Sequence, residues 1–351
     1  MLFLLKALGC QTSPSGEPCL VGLQNLPKPY DALDSDPDVQ AFHPTPLDRC
    51  MTLSKETKQI QLYGIFGYPI QHSLSPQMHQ AAFEALGLRN IYLPFEVPPD
   101  QLKRAVEAIL PLGLQGVNIT IPHKETVMPF LDRIDGEAEK IGAVNTVEVR
   151  AGQLIGHNTD GKGFMTSLIE EGVDPKSLSV LLIGAGGAAK GVAVALLSAG
   201  VSKMAIQVRQ MSKGKKLAKQ LGTLSPHAEI SVIGTDLKKK PPMPDDGPVL
   251  LVNATPLGMA TGDPLPFPIQ WIKADWIVAD LIYRPYETPF LLASKSKGAK
   301  TIPGMGMLLH QGALSFDIWT HSKPPIAAMR WALMKALLPG TAAVSAPPQI
   351  V

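Results

Sequence analysis

The sequence is poor in cysteine: its 351 residues include only three, Cys10, Cys19 and Cys50, all in the N-terminal part of the chain. The residues after Cys50 therefore form no disulfide framework, no cysteine-based zinc cluster and no thiol nucleophile. So few cysteines are typical of a protein in a reducing compartment, which indicates a cytoplasmic location.

An excess of charge of either sign is also absent. Lys and Arg number 32 and Asp and Glu number 30, so the formal net charge is only +2. This balance disfavours a broad electrostatic surface for nucleic acid or an anionic membrane, and a small molecule is the expected partner.

Long hydrophobic runs are missing after the first few residues. Stretches such as "SVLLIGAGGAA" are short and bounded by glycine or proline, and they predict buried strands rather than membrane spans.

The N-terminal extension shows no convincing periodicity. It opens on the apolar "MLFLLKALGC", but Lys6 interrupts this stretch and no basic residue precedes it, so a signal peptide is disfavoured. The segment that follows is rich in Pro, Ser and Asp, which predicts a disordered extension over residues 1–58. Alternatively, translation starts at Met51.

The regular part of the chain begins near residue 60. The stretch "IQLYGIFGYPI" predicts a strand, and Ser75 and Pro76 follow it as a helix N-cap and a first-turn proline. The hydroxyls of Ser73 and Ser75 have an alternative role as ligand-binding groups.

Polar residues alternate with apolar ones in "GVNITIPHKE". Period two places Asn118 and Thr120 together on the face opposite the apolar side chains. Pro122 cannot donate to a sheet ladder, so the strand is expected to end there and to deliver Lys124 at the same end. Asn118, Thr120 and Lys124 are therefore expected to lie close together at this end of the strand.

Further polar side chains interrupt apolar stretches downstream. Asn145 lies in "GAVNTV", and Asn158 and Asp160 immediately precede a helix. Asp160 is a candidate N-cap of that helix, but a cap does not explain Asn158. The apolar residues of the helix are expected to be Phe164, Leu168 and Ile169.

A glycine turn follows the strand in "SVLLIGAGGAAKGVAVALLSAG". Gly184, Gly186 and Gly187 allow close backbone approach, and the free N–H groups at the helix start favour a pyrophosphate. A tight connection without a ligand is an equal alternative for such a turn alone. The next strand, "KMAIQV", ends at Arg209, where a Rossmann fold meets the adenosine ribose.

The cations after this strand favour NADP over NAD. An acidic residue there would bind the ribose 2′-hydroxyl of NAD, whereas Arg209 suits the 2′-phosphate of NADP. Nearby are three lysines, for which an exposed basic helix face is the better interpretation: Lys213, Lys215 and Lys216.

The remaining pattern is that of an α/β doubly wound domain. "NATPLGM" lies at the carboxyl end of a strand, where such sheets bind ligands, although a capped turn is an alternative. We therefore predict an α/β protein of two domains, an N-terminal α/β domain and a Rossmann-type NADP-binding domain. The predicted boundaries are 59–158 for the first domain, 159–305 for the Rossmann domain, and 339–351 for a frayed tail after two C-terminal helices over 306–338.

Several motifs together resemble those of the shikimate dehydrogenases. "GYPIQHSLSP", "VNITIPHKE", "GAVNT", "NTDG", "GAGGAAKG", "NATPLGM", "DLIY" and "GMGMLLHQGA" occur in the order and spacing of that family. The resemblance implies reversible, NADPH-dependent reduction of 3-dehydroshikimate to shikimate in aromatic amino-acid biosynthesis, without a metal. It also implies that the first domain, 59–158, is an N-terminal α/β substrate-binding domain completed by the closing helices over 306–338. We expect a monomer or homodimer.

The resemblance also assigns roles to individual residues. Lys124 and Asp160 match the catalytic pair, and Ser73 and Ser75 match the serines that hold the substrate carboxylate. Further substrate contacts are implied at Asn118, Thr120, Lys124, Asn145, Asp160, Tyr283 and Gln311. Cofactor contacts are implied at Gly184, Ala185, Gly186, Gly187, Ala188, Arg209, Lys213, Asn253, Ala254, Thr255, Leu281, Gly304 and Met307.

The chain departs from the family pattern beside Arg209. Val208 and Gln210 stand where an Asn-Arg-Thr triplet is common, but no acid replaces the arginine, so NADP remains the expected cofactor. One alternative is the same chemistry on quinate, with NAD or NADP. The other is a non-catalytic regulatory relative that binds NADP or shikimate. It is disfavoured because Lys124 and Asp160 are both present and no DNA-binding helix pair is evident.

Overall fold

Two β-sheets of six strands each organise the residues that the computed structural model describes, 60–235 and 247–338. The predictions for residues 1–58 and for the tail at 339–351 lie outside these described residues. Helices pack on both sheets, and the second sheet follows the first along the chain. This is the predicted α/β architecture with a substrate-binding domain and a Rossmann-type domain.

The first sheet is mixed, with the strand order β2-β1-β3-β5-β6-β4. Strands β1, β2 and β3 are parallel, whereas β5 is antiparallel to both β3 and β6. The strands are β1 (Leu62–Gly67), β2 (Ile91–Glu96), β3 (Leu114–Ile119), β4 (Arg133–Ile134), β5 (Thr146–Arg150) and β6 (Gln153–His157).

The second sheet is wholly parallel, with the order β12-β11-β10-β7-β8-β9. Its strands are β7 (Ser179–Ile183), β8 (Lys203–Gln207), β9 (Glu229–Ile233), β10 (Val249–Asn253), β11 (Ile277–Asp280) and β12 (Lys300–Ile302). The chain direction across the sheet reverses between β7 and β10. Ligands of doubly wound sheets bind in the crevice at such a switch point.

Helices cover both sheets. They are α1 (Ser75–Ala85), α2 (Leu102–Glu107), α3 (Gly136–Ile141), α4 (Asp160–Glu170), α5 (Gly187–Ser198), α6 (Met211–Leu224), α7 (Pro289–Lys295), α8 (Met305–Thr320) and α9 (Ile326–Leu337). Within the described ranges, none of these helices has the length and apolar character needed to cross a membrane.

The last two helices return to the first sheet. Phe83 of α1 packs with Phe316 of α8 at a ring-centroid distance of 5.4 Å, and Met329 of α9 joins the same buried cluster. Trp319 also enters this cluster, and its Nε1 donates a hydrogen bond to the carbonyl of Val147, 3.0 Å away. The start and the end of the described chain therefore share one hydrophobic core.

Two hydrophobic layers sandwich the second sheet. Along β8, Met204 and Ile206 face the layer that contains α5 and α6. Ala205 faces the opposite layer, which contains Phe267 and Phe290. Because side chains alternate along a strand, Gln207 continues the side of Ala205.

The helix starts differ from the sequence-based expectation in two places. Leu74, not Ser75, occupies the N-cap position of α1, and the Oγ of Ser73 accepts a hydrogen bond from the Ser75 N–H at 3.3 Å. Asp160 is the first residue of α4 rather than its cap, and Asn158 Oδ1 accepts the Asp160 N–H at 3.0 Å. At both helix starts, the side chain two residues earlier, Ser73 or Asn158, therefore accepts the backbone N–H of the residue expected to be the cap.

One predicted apolar residue of α4 is not buried. Phe164 and Leu168 lie in the core as expected, but Ile169 is 65% exposed. Position 169 follows 168 by only about 100° around the helix, which takes it beyond the edge of the buried stripe.

A charged network joins β5, β6 and the start of α3. His157 lies between two carboxylates, with Nδ1 2.8 Å from Asp135 Oδ2 and Nε2 3.0 Å from Glu148 Oε2. Asp135 also caps α3, and Arg150 pairs with Glu148. Burial lowers the pKa of His157, but hydrogen bonds and charges of Asp135 and Glu148 outweigh it, so the net shift is upward.

Replacing His157 by glutamine is expected to reduce the free energy of unfolding more at about pH 5.5 than at about pH 9. A raised pKa in the folded state contributes stability that is fully present below the unfolded pKa, about 6.5. This stability is lost as the pH rises through the folded pKa. Urea unfolding of wild type and His157→Gln at both pH values measures the difference.

The exposed His227 supplies the matched control. His227→Gln is expected to change the unfolding free energy equally little at both pH values. If His157→Gln reduced the free energy of unfolding equally at both pH values, the proposed stabilisation of protonated His157 by Asp135 and Glu148 would be wrong.

Candidate active site

A cleft of about 1890 Å³ is lined by residues from both sheets. Its walls include the ends of β3, β7 and β8 and the loop that follows β10. The sequence-predicted residues that line it are Ser73, Asn118, Thr120, Lys124, Asn145, Asp160, Gly184, Ala185, Gly186, Gly187, Ala188, Arg209, Lys213, Ala254, Thr255, Leu281, Tyr283, Gly304, Met307 and Gln311. The structure does not bring Ser75 or Asn253 to the cleft wall, and both are buried behind it.

Lys124 and Asp160 form an ion pair in the middle of this cleft. Nζ of Lys124 donates to Oδ2 of Asp160 at 2.6 Å, and the side chains are 14% and 3% exposed. The other carboxylate oxygen lies 2.9 Å from Nδ2 of Asn145. Asp160 also occupies the first turn of α4, where the helix dipole favours negative charge. The carboxylate is therefore fixed, and it holds the ammonium group in place.

The glycine turn of the second sheet touches the lysine. A Cβ atom added at Gly187 would lie 2.8 Å from Cβ and 3.2 Å from Cδ of Lys124. These distances are too short for any side chain larger than glycine without displacing the lysine stem. The absence of a side chain at Gly187 therefore lets Lys124 lie directly against the turn.

Asn118 is held by side chains that the sequence analysis did not select. Oδ1 of Asn118 accepts from the hydroxyl of Tyr92 at 2.7 Å. Its Nδ2 lies 3.0 Å from Ser315 Oγ and 3.2 Å from Thr146 Oγ1. Burial raises the pKa of Tyr92 well above its usual value, so this hydroxyl stays a donor. Thr146 is next to Asn145 in "GAVNTV", but no sequence signal singles out Tyr92 or Ser315.

Helix α8 and the loop after β11 close the same end of the cleft. Gln311 of α8 accepts from Asn145 Nδ2 at 3.3 Å and donates to the carbonyl of Leu308 at 2.9 Å. Burial raises the pKa of Tyr283, while hydrogen bonds with the Leu74 backbone and the Ser73 side chain act in the opposite direction. Asn145 thus links Gln311 to the ion pair, and Tyr283 lies beside Ser73 in the same cleft wall.

The other end of the cleft fits a phosphorylated dinucleotide. Gly184 has φ +114°, and a Cβ atom there would lie 3.0 Å from the carbonyl oxygen of Ala254. Helix α5 begins at Gly187 without a side-chain cap, which leaves its first N–H groups available for a phosphate. Arg209 and Lys213, both exposed, place two cations where a ribose phosphate is expected.

Asn253 shapes this end of the cleft from behind the wall. Its Nδ2 donates to Asp280 Oδ1 at 3.0 Å and its Oδ1 accepts from Thr255 Oγ1 at 2.7 Å. Asp280 also accepts from Thr288 Oγ1 at 2.8 Å. Burial raises the pKa of Asp280 to about 6, against the effect of these hydrogen bonds. The network fixes the turn that carries Ala254 and Thr255, which do line the cleft.

Sequence profiles of one enzyme family match three parts of the chain. The profile of the shikimate dehydrogenase substrate binding domain matches residues 65–147, that of shikimate / quinate 5-dehydrogenase matches residues 167–239, and that of the shikimate 5′-dehydrogenase C-terminal domain matches residues 304–334. A curated relative, the shikimate dehydrogenase (NADP(+)) of Desulforamulus reducens, is 46% identical over 284 residues, 80% of this chain and 97% of the relative. The chain belongs to the shikimate dehydrogenase family.

Solved structures of this family have the same fold. The shikimate 5-dehydrogenase of Thermus thermophilus, in complex with NADP(H) and shikimate, is 35% identical with a TM-score of 0.70. The match covers 79% of this chain and 100% of that one. The quinate dehydrogenase of Corynebacterium glutamicum, in complex with NAD, is 32% identical with a TM-score of 0.71, and the match covers 79% and 99%. The shikimate dehydrogenase family thus includes members with different substrates and cofactors.

Proposed function

We propose that this chain catalyses the reversible reduction of 3-dehydroshikimate to shikimate in aromatic amino-acid biosynthesis. The chain is an NADP-dependent oxidoreductase that acts on a CH–OH group. The observation that supports the residue assignments most strongly is the Lys124–Asp160 pair, whose 2.6 Å contact lies between the polar wall and the glycine turn.

Lys124 is the proposed acid of the reaction. When bound, NADPH supplies the hydride, and negative charge then develops on the ketone oxygen of the substrate. The ammonium group of Lys124 stabilises this charge and can donate a proton to the oxygen. Asp160 keeps the ammonium group aimed into the cleft and accepts a hydrogen bond from a neighbouring substrate hydroxyl.

The polar wall is proposed to bind the rest of the substrate. Asn118, Thr120, Asn145 and Gln311 offer directed hydrogen bonds to ring hydroxyls, which matter because an unpaired buried polar group costs about 1–3 kcal/mol. Ser73 and Tyr283 are proposed to hold the carboxylate. Ser75, which lies behind the wall, is proposed to act indirectly by supporting the hydroxyl of Tyr92.

The cofactor is proposed to lie along the carboxyl edge of the second sheet. The turn from Gly184 to Ala188 would hold the pyrophosphate, and Arg209 with Lys213 would hold the 2′-phosphate. The loops that carry Ala254, Thr255, Leu281 and Gly304, together with Met307 in the first turn of α8, would line the remaining surface. The cysteine distribution supports a cytoplasmic location, and we propose a monomer or a homodimer.

An assay of nucleotide absorbance at about 340 nm tests this function. Purified protein is expected to oxidise shikimate with NADP⁺ at a higher kcat/KM than quinate with either nucleotide. A preference for quinate with NAD⁺ would instead support the quinate alternative, to which the Corynebacterium structure gives weight. Absence of turnover with every pair would contradict an enzymatic function.

A further inference from the structure

Gln207 is an uncharged polar residue that follows three buried apolar residues at the end of β8. It is the last residue of β8, it is 2% exposed, and it forms part of the cleft wall. Its neighbours Met204, Ala205 and Ile206 are buried hydrophobic residues. A buried amide at this position needs a reason, because burial of a polar group without partners is unfavourable.

Only half of the Gln207 amide has a partner within the described residues. Nε2 donates to the carbonyl oxygen of Pro266 at 3.1 Å, whereas Oε1 is buried without a hydrogen bond. The carbonyl of Pro266 can only accept, so a flipped amide would bring two acceptors together. The amide orientation is therefore fixed, and Oε1 offers an acceptor that the rest of the described protein leaves unused.

The position of this acceptor relative to the cofactor follows from the fold. The pyrophosphate belongs at the glycine turn after β7, and the 2′-phosphate belongs at Arg209, two residues beyond Gln207. The adenine base is attached to the ribose that carries the 2′-phosphate. It must therefore lie in the cleft between the end of β8 and the segment that contains Leu265, Pro266 and Phe267. These apolar side chains suit the flat face of a purine.

We propose that Oε1 of Gln207 accepts a hydrogen bond from the 6-amino group of the adenine of NADP(H), so that Gln207 selects adenine over 6-oxopurines. This rests on the proposed use of NADP(H). Adenine presents N–H donors at its 6-position, whereas hypoxanthine presents a carbonyl oxygen there. Because the Gln207 amide cannot flip, the 6-carbonyl oxygen of a 6-oxopurine would face Oε1 of Gln207. Two acceptors form no hydrogen bond.

Binding of NADP⁺ and of its hypoxanthine analogue, measured by isothermal titration calorimetry without substrate, tests the assignment. Wild type is expected to bind NADP⁺ about ten-fold or more tightly than the analogue. This ratio corresponds to the free energy of one hydrogen bond together with the cost of one unsatisfied acceptor. Gln207→Met keeps the side-chain length but removes the amide, and it is expected to bring the ratio of the two Kd values close to one.

Gln210→Met is the matched control, since Gln210 is an exposed glutamine in the same cleft. It is expected to keep the wild-type ratio, and equal loss in both variants would overturn the role of Gln207. Equal binding of both nucleotides by wild type, or a ratio that persists in Gln207→Met, would also overturn it. If Gln207→Met does not fold, Gln207→Leu replaces it. Failure of NADP⁺ to bind at all would instead refute the proposed cofactor, and this inference with it.

Discussion

Lys124→Ala is expected to lower kcat by about a thousand-fold while the Kd of shikimate stays within about three-fold of wild type. The ammonium group interacts most strongly once negative charge has developed on the substrate oxygen, so its loss acts mainly on the transition state. Spectrophotometric kinetics give kcat, and calorimetric titration with shikimate gives the Kd.

Removal of the lysine also leaves Asp160 buried and unpaired, so stability must be measured beside activity. The Tm of the variant by calorimetry shows whether the protein remains folded at the assay temperature. Lys103→Ala is the control, because Lys103 is a highly exposed lysine that pairs with Glu107 outside the cleft. Near-normal turnover in folded Lys124→Ala would exclude the proposed acid.

Arg209→Ala is expected to raise the KM for NADPH by about 10–100-fold and to leave the KM for NADH nearly unchanged. A charge-assisted hydrogen bond to a phosphate contributes about 1.5–3 kcal/mol, and only NADPH carries the 2′-phosphate. Steady-state kinetics with both nucleotides, at saturating 3-dehydroshikimate, measure the two constants.

Lys215→Ala provides the comparison for Arg209. Lys215 is an exposed cation of α6, but it does not line the cleft. Its replacement is expected to change neither KM appreciably. Similar increases for NADPH and NADH in Arg209→Ala would show that the arginine contacts a part of the nucleotide shared by both.

Local patterns in the sequence were sufficient to predict much of the fold and the position of the cleft. Period two in "GVNITIPHKE" placed Asn118 of β3 and the following Thr120 together, and both line the cleft. The glycine turn between Gly184 and Gly187 was likewise recognisable, because turn geometry depends on adjacent residues. Such features are properties of short segments, which a sequence displays directly.

Features that depend on distant residues could not be predicted in this way. Ser315 lies 197 residues from Asn118 in the chain, yet it contacts the Asn118 amide. Asn253 belongs to a motif at the cleft, but its side chain is engaged by Asp280 behind the wall. Gln207 was not selected from the sequence, and its fixed orientation depends on Pro266 from another loop.

The contact between Gly187 and Lys124 places the glycine turn directly against the proposed acid. A larger residue at Gly187 would push on the lysine stem, so it would shift the ammonium group as well. Arg209 lies away from this contact, so its replacement is expected to change cofactor preference without moving the lysine. Directed evolution towards NADH is therefore expected to accumulate substitutions after β8 and to retain the glycine.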